Sequence, residues 1–168
     1  MKKLLVVVDF QNDFIDGSLG TKEAVAIIPN VVEKIKSYPE EERVVTMDTH
    51  FEDYLDTQEG ENLPVIHCIN GTFGWQLREE ARLGFEKVFE KSTFGSTELA
   101  QYVAEKQIDQ VELIGICTDI CVVSNALLIK AFAPEVKILV DSACCAGVSP
   151  EKHEAALETM RSCQIEVQ

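Results

Sequence analysis

The sequence lacks long apolar segments and is poor in positive charge. Its 168 residues include 15 Lys and Arg against 29 Asp and Glu, a formal net charge of -14. Such a chain repels phosphate backbones and anionic lipid surfaces. No apolar run approaches the roughly 20 residues of a membrane-spanning helix. We therefore expect no nucleic-acid partner and no membrane association, and we expect a cytoplasmic location because no signal peptide is visible.

Metal-site cysteine spacing is also absent. Six cysteines are present, but no pair has the Cys-x-x-Cys spacing of a zinc site. Without a secretory signal we expect free thiols, most of them packed as small hydrophobic side chains. Only three histidines occur. One of them, His153, lies between Lys152 and Glu154 in a predicted helix, and we expect it to be solvated.

Strands alternate with helices along the chain. Apolar, β-branched runs that stop at a polar residue predict buried strands, and helical spacing of apolar residues predicts the helices. The predicted strands cover residues 4–8, 43–47, 87–89, 111–116, 136–140 and 165–167, and the predicted helices cover residues 21–37, 97–108, 119–133 and 150–163. This order predicts a three-layer α/β/α sandwich with a mainly parallel, Rossmann-like sheet. The length fits a single domain over residues 1–168.

Polar residues with catalytic potential follow the predicted strands. Asp9, Asp48 and Lys91 each come at or near a strand end, and Cys121 lies where a strand passes into a helix. Ligands of such sheets bind beyond the carboxyl ends of the strands. A helix N-terminus and a nearby cation favour a thiolate, and a carboxylate can accept its proton. The alternative is a packed thiol, a turn-forming Asp9 and a solvated Lys91.

A second set of side chains has metal-binding potential. Asp48 and His50 form an Asp-x-His pair, and His67 follows after a long polar segment. One carboxylate and two imidazoles suit zinc, iron or manganese, with waters completing the coordination. Two alternatives stay open: both histidines are structural, or one is the base of a Cys-His hydrolase pair.

Several short segments carry a family resemblance. They cover residues 8–14 (VDFQNDF), 48–50 (DTH), 67–72 (HCINGT), 91–97 (KSTFGST) and 115–121 (GICTDIC). Their content and order resemble the isochorismatase-like cysteine hydrolases, and within them the nicotinamidase branch. The resemblance spans nearly the whole chain.

This resemblance implies a specific mechanism and site. Cys121 is then the nucleophile, Asp9 the general base and Lys91 the third member of a triad. The peptide bond between Ile116 and Cys117 is expected to be cis, and the amides of Cys117 and Cys121 are expected to form an oxyanion hole. The reaction would be hydrolysis of a small, nicotinamide-like carboxamide through a thioester, with release of ammonia.

The resemblance also bears on cofactors and assembly. It implies a divalent metal at Asp48, His50 and His67, with zinc preferred and iron or manganese as alternatives. It implies no organic cofactor. Relatives are often dimers or tetramers, so the resemblance implies a homo-oligomer.

Two departures from the nicotinamidase pattern concern the substrate. Nicotinamidases usually carry a tryptophan three residues before the second metal histidine, and this chain has Pro64 there. Phe14 or Trp75 are candidate replacements as contacts for a substrate ring. The acidic segment over residues 52–61 also lacks a further histidine found in some relatives. We expect most of its carboxylates to be solvated, while Glu59 or Glu61 could enter the site as a metal ligand or select a different amide.

Other functions stay open at the level of sequence. The missing tryptophan favours another small C-N substrate, such as a carbamoyl or ureido compound. Hydrolysis of an isochorismate-type vinyl ether is less favoured because isochorismatases proper lack the metal set. A non-enzymatic alternative is a redox-sensing or binding protein, in which Cys117 and Cys121 lie close enough to oxidise.

Overall fold

A single six-stranded sheet forms the centre of the molecule. The computed structural model describes all 168 residues. The strands are β1 (Lys3–Val8), β2 (Arg43–Asp48), β3 (Lys87–Lys91), β4 (Gln110–Ile116), β5 (Lys137–Ala146) and β6 (Glu166–Val167). Their spatial order is β3-β2-β1-β4-β5-β6, and every neighbouring pair is parallel. The predicted α/β fold with a parallel sheet is confirmed.

Helices cover both faces of the sheet. They are α1 (Asn12–Ile15), α2 (Lys22–Ala26), α3 (Ile28–Lys36), α4 (Gln58–Asn62), α5 (Thr97–Lys106), α6 (Val123–Phe132) and α7 (Pro150–Ser162). Strand β1 shows the layering, because alternate side chains point to opposite faces. Leu4 and Val6 join the core beneath α5, α6 and α7, while Leu5 and Val7 join the core beneath α1, α2 and α3. None of the helices combines the length and apolar character needed to cross a membrane.

The structure departs from the predicted elements in several places. The helix predicted over residues 119–133 begins only at Val123, because a π-helical turn precedes it. The helix predicted over residues 21–37 is two helices that meet at Ile27. Pro29 has no N–H to donate to the carbonyl of Val25, so one continuous helix is disfavoured. Strand β5 continues past its predicted end to Ala146, through a register shift against β4. The polar segment after β2 is not wholly irregular, because it contains α4, whose cap is the side chain of Thr57.

The topology places one edge of the sheet at a crevice. Strands β2 and β3 lie on one side of β1, while β4 to β6 lie on the other. Successive strands are therefore added toward one edge of the sheet from β1 to β3 and toward the other edge from β4 to β6. The change occurs between β1 and β4, and open α/β sheets bind ligands at such a point. Asp48 and Lys91 pair in register at the ends of β2 and β3. Asp9 and Cys117 directly follow β1 and β4, so all four residues reach the same edge.

Close contact between β1 and β4 at this edge requires glycine at position 115. Gly115 has φ +119°, and a Cβ atom there would overlap the carbonyl oxygen of Val8. We predict that Gly115→Ala lowers the free energy of unfolding by about 3 kcal/mol or more, because steric overlap adds to backbone strain. The measurement is urea denaturation.

Gly71→Ala is the matched control. Gly71 also has positive φ, +81°, but has open space around its Cα. It should lose only about 1 kcal/mol, from backbone strain alone. Equal losses in the two variants would show that close strand approach does not limit position 115.

Candidate active site

Cys121 lies in an irregular turn between β4 and α6. We call residues 117–122 the Cys121 turn; its residues Thr118–Val122 form one π-helical turn. The peptide bond between Ile116 and Cys117 is cis. The carbonyl of Cys117 accepts from the Val122 N–H at 3.1 Å, whereas the N–H of Cys117 donates no hydrogen bond within the protein. The side-chain amide of Asn125 donates to the Cys121 carbonyl at 2.8 Å, which fixes the end of the turn.

Asp9, Lys91 and Cys121 meet beneath this turn. Lys91 Nζ lies 2.6 Å from Asp9 Oδ2 and 3.6 Å from Cys121 Sγ. The hydroxyl of Thr46 donates to Asp9 Oδ1 at 2.7 Å. All three candidate catalytic side chains are buried. The structure thus brings together the three residues that the sequence selected separately.

Burial and charge set the protonation of this cluster. Burial raises the pKa of the Asp9 carboxyl, and the Lys91 ammonium opposes the rise. Burial lowers the pKa of Lys91, but Asp9, Cys121 and Asp48 together raise it by more, so the pKa ends above its usual value and Lys91 stays charged. Burial and Asp9 together raise the pKa of the Cys121 thiol well above its usual value, against the opposing effect of Lys91. The sequence suggested a stabilised thiolate, whereas burial outweighs the lowering effect of the Lys91 ammonium on the pKa of this thiol and favours its protonated form.

Removing the charge of Asp9 should therefore activate the thiol toward alkylation. In Asp9→Asn the Lys91 ammonium loses its carboxylate partner and stabilises the Cys121 thiolate. We predict a lower thiol pKa and an alkylation rate at neutral pH that is about tenfold higher, the effect of one pKa unit. The measurement is iodoacetamide labelling followed by peptide mass spectrometry, repeated over a range of pH.

Lys91→Met is the opposite change and should slow labelling of Cys121, because only the carboxylate is left beside the thiol. A slower reaction in Asp9→Asn would contradict this account, since it would mean that alkylation depends on proton transfer to Asp9.

Four side chains next to this cluster converge like metal ligands. Single ligand atoms of Asp48, His50, Glu59 and His67 all lie within 4.8 Å of one another. His50 Nε2 is 2.9 Å from Asp48 Oδ2, and His67 Nε2 is 3.4 Å from the same oxygen. His67 Nδ1 faces the carbonyl oxygen of Val65 at 2.7 Å. Because a carbonyl only accepts, Nδ1 carries the proton and Nε2 is free to bind a metal.

Glu59 is the fourth member of this group, and the capped helix α4 positions its side chain. Thr57 accepts from the N–H of Gly60 and so caps α4, whose first turn carries Glu59. Glu59 Oε2 is buried without a hydrogen bond and lies 3.2 Å from His50 Nε2. Burial and the neighbouring Asp48 raise the pKa of Glu59. A buried carboxylate oxygen that makes no hydrogen bond and lies beside two imidazoles fits a divalent cation, while Glu61 is exposed.

A hydrogen-bonded side chain holds Asp48 in this group. Gln11 Nε2 donates to the carbonyl of Asp48, and the N–H of Asp48 donates to Gln11 Oε1, both at 2.8 Å. This pair of bonds ties the chain after β1 to the end of β2. Asp13 Oδ2 similarly accepts from the N–H of Cys68 at 2.8 Å, next to His67. The polar residues that follow β1 therefore position the two segments that carry the metal-type ligands.

A cavity of about 300 Å³ lies between the cysteine cluster and the metal-type group. Its lining includes Cys117, Cys121, Asp48, Glu59, His67, Phe14, Leu63, Phe94 and Ile120. Phe14 thus lies where the sequence suggested. Phe94 was not predicted from the sequence, although it lies three residues after Lys91 in the KSTFGST segment, and that position was the available signal.

Trp75 is not brought to this cavity. Its indole N–H donates to Thr49 Oγ1 at 2.9 Å, and its ring packs on the core beneath α1 to α3. Pro64 is exposed and does not line the cavity. An outer groove of about 830 Å³ adjoins the cavity and shares Glu59, Leu63, Phe94 and Ile120 with it.

The third histidine is not solvated as the sequence suggested. His153 is half-buried, and its Nδ1 lies 2.7 Å from the hydroxyl of Thr118 in the Cys121 turn. The prediction was wrong because the packing of α7 against that turn is not visible in the local sequence.

The fold and site define an α/β protein whose buried cysteine, carboxylate and lysine meet at the switch point of a parallel sheet. The model of the isochorismatase domain matches residues 3–168. The chain therefore belongs to the isochorismatase family. A nicotinamidase/pyrazinamidase of Mycobacterium tuberculosis is 28% identical over 183 residues, with 98% of this chain and 97% of the relative covered.

Solved structures agree with this assignment. The crystal structure of a nicotinamidase/pyrazinamidase from Bacillus subtilis matches with a TM-score of 0.85 and 28% identity, covering 99% of each chain. The pyrazinamidase of Pyrococcus horikoshii, solved in complex with zinc, matches with a TM-score of 0.79 and 28% identity, covering 100% of this chain and 99% of the other.

Proposed function

We propose that this protein is a cysteine-dependent amidohydrolase that cleaves the C–N bond of a small, nicotinamide-like carboxamide and releases ammonia. The observation that carries the proposal is the contact of Lys91 Nζ with Asp9 Oδ2 at 2.6 Å and with Cys121 Sγ at 3.6 Å. This cluster borders a cavity that also contacts a metal-type group. The nicotinamidase names of its relatives support the substrate class.

The first half of the reaction forms a thioester. Asp9 accepts the thiol proton of Cys121, and the thiolate adds to the carboxamide carbon. Negative charge develops on the carbonyl oxygen, where the unpaired N–H of Cys117 and the N–H of Cys121 are the proposed donors. Asp9 then returns the proton to the nitrogen as the C–N bond breaks, and ammonia leaves.

The second half hydrolyses the thioester. Asp9, ionised again, accepts a proton from a water molecule that adds to the thioester carbon. The C–S bond breaks, and the proton on Asp9 passes to the sulfur, so the thiol is regenerated. The carboxylic acid product then ionises by losing the second water-derived proton to solvent. Lys91 keeps its charge throughout, which stabilises both the Asp9 carboxylate and the transient thiolate. A raised carboxyl pKa suits Asp9 to this repeated exchange.

We further propose that Asp48, His50, Glu59 and His67 hold zinc, with iron or manganese as alternatives. When bound, the ion would supply a Lewis-acid site that binds a ring heteroatom of the substrate and orients its carboxamide. The buried Glu59 oxygen, which makes no hydrogen bond, supports a four-residue ligand set, and it favours Glu59 over Glu61 as the further ligand that the sequence left open. The zinc complex of the Pyrococcus horikoshii relative supports the choice of metal.

The ligand set can be tested by zinc content rather than by activity. We predict that Glu59→Gln weakens zinc binding by about tenfold or more, because a neutral amide replaces a charged ligand. Glu61→Gln is the matched control, two positions away on the exposed side of the same helix, and should bind zinc like the unaltered protein. The measurement is competition with a chromophoric chelator. Equal affinities in both variants would remove Glu59 from the site.

Another small C–N substrate is a second candidate, favoured by one observation. Pro64, which stands where nicotinamidases usually have tryptophan, is exposed and outside the cavity. Phe14 and Phe94 supply the aromatic surface instead. A carbamoyl or ureido compound needs no ring platform, whereas a pyridine ring would have to use these two phenylalanines.

Ammonia release from nicotinamide is the direct test of the proposed function. We predict turnover by the zinc-loaded protein and a loss of at least about 10³-fold in kcat in Cys121→Ala, because the nucleophile is removed. Cys163→Ala is the matched control, since Cys163 is a half-buried thiol at the end of α7. It should keep full activity.

Activity that survives in Cys121→Ala would refute the cysteine mechanism. Release of ammonia from carbamoyl or ureido compounds but not from nicotinamide would keep the mechanism and select the second substrate class.

A further inference from the structure

The Cys121 turn is attached to α7 by a buried side-chain hydrogen bond. His153 Nδ1 lies 2.7 Å from Thr118 Oγ1. Thr118 is fully buried, and this contact is the only hydrogen bond that its hydroxyl makes. A buried hydroxyl without a partner is unfavourable, so His153 determines where the Thr118 side chain sits.

Thr118 occupies a sensitive position in the turn. It directly follows Cys117, whose N–H is a proposed oxyanion donor, and it begins the π-helical turn that carries Cys121. A displacement of Thr118 would therefore move the donor and the nucleophile relative to each other. Displacements of about 1 Å in such sites reduce rates by about 10²-fold.

A second contact binds the same turn to the segment before α7. Asp119 Oδ1 accepts from the N–H of Val148 at 3.0 Å. A Cβ atom on Gly147 would lie 2.9 Å from Asp119 Oδ1 and 2.9 Å from the backbone nitrogen of His153. The Gly147 segment, α7 and the turn are thus in close contact, so the His153 side chain has a well-defined place relative to Thr118.

We infer that His153 is a positioning residue for the cysteine chemistry: through Thr118 it holds the Cys117 N–H and the Cys121 sulfur in their relative places. His153 does not line the cavity, and its side chain hydrogen-bonds Thr118 rather than Cys121. The inference rests on the proposed function, because it assigns the Cys121 turn a catalytic role.

Two substitutions at position 153 separate positioning from packing. Asparagine places a polar atom at the same distance along the side chain as His Nδ1 and can keep the bond to Thr118, whereas leucine fills space without any hydrogen bond. We expect His153→Leu to lower kcat by between about tenfold and about a hundredfold with KM nearly unchanged. His153→Asn should restore most of the lost kcat. Thermal unfolding of both variants measures the structural effect.

The partner residue provides a double-mutant cycle. Thr118→Val removes the same hydrogen bond from the other side and should lower kcat to a similar extent. The double variant His153→Leu/Thr118→Val should be no slower than the slower single variant, because both changes remove one interaction. Additive losses, or equal kcat in His153→Asn and His153→Leu, would overturn the inference. So would a lowered melting temperature with unchanged kcat.

Alkylation of Cys121 gives a readout that does not need turnover. His153→Leu should change the labelling rate of Cys121 by at least about threefold as the sulfur moves relative to Lys91, and His153→Asn should not. If the unaltered protein hydrolysed no amide, the proposed function would fail, and this rate would still decide whether His153 positions the turn. Identical labelling in all three proteins would overturn the inference.

Discussion

The buried ammonium of Lys91 is the interaction on which the rest of the site depends. It lies 2.6 Å from Asp9 Oδ2 and 3.5 Å from Asp48 Oδ1, and therefore joins the cysteine cluster to the metal-type group. Two buried carboxylates this close would otherwise repel each other, and one would take up a proton. Lys91 favours the ionised form of both carboxylates and keeps a positive charge beside Cys121. Parallel register between β2 and β3 places Lys91 directly beside Asp48.

Charge balance across the two groups explains why a divalent cation suits this site. Asp9, Asp48 and Glu59 bring three carboxylates to the edge of the sheet, and the Lys91 ammonium contacts the first two of them. Two negative charges are thus left over, and a divalent ion neutralises them. Burial and the negative charge of Asp48 accordingly raise the pKa of Glu59. Glu59 also has a buried carboxylate oxygen that makes no hydrogen bond, which is consistent with the excess of negative charge.

Features that depend on a few neighbouring residues were predicted well from the sequence. Features that depend on contacts between segments distant in the chain were missed. Asp9 and Asp48 were placed at strand ends because each directly follows a run of apolar residues, a signal contained in a few positions. Glu59 and Glu61 have the same local sequence character, and only the cap of α4 on Thr57 decides which one faces the histidines. His153 contacts Thr118, which is 35 residues away in the chain, so no spacing rule revealed this contact.

The site residues are likewise positioned in two ways, some by the strands that carry them and one by side chains from other elements. Asp9, Asp48 and Lys91 are fixed at the ends of paired strands, whose hydrogen bonds leave them little freedom. Cys121 lies instead in an irregular turn, and the sheet alone does not determine where its sulfur points. Side-chain contacts from α6 and α7 make up for this, through Asn125 on the Cys121 carbonyl and His153 on Thr118. The sheet therefore sets the charges of the site, while the helices on one face of it set the position of the thiol.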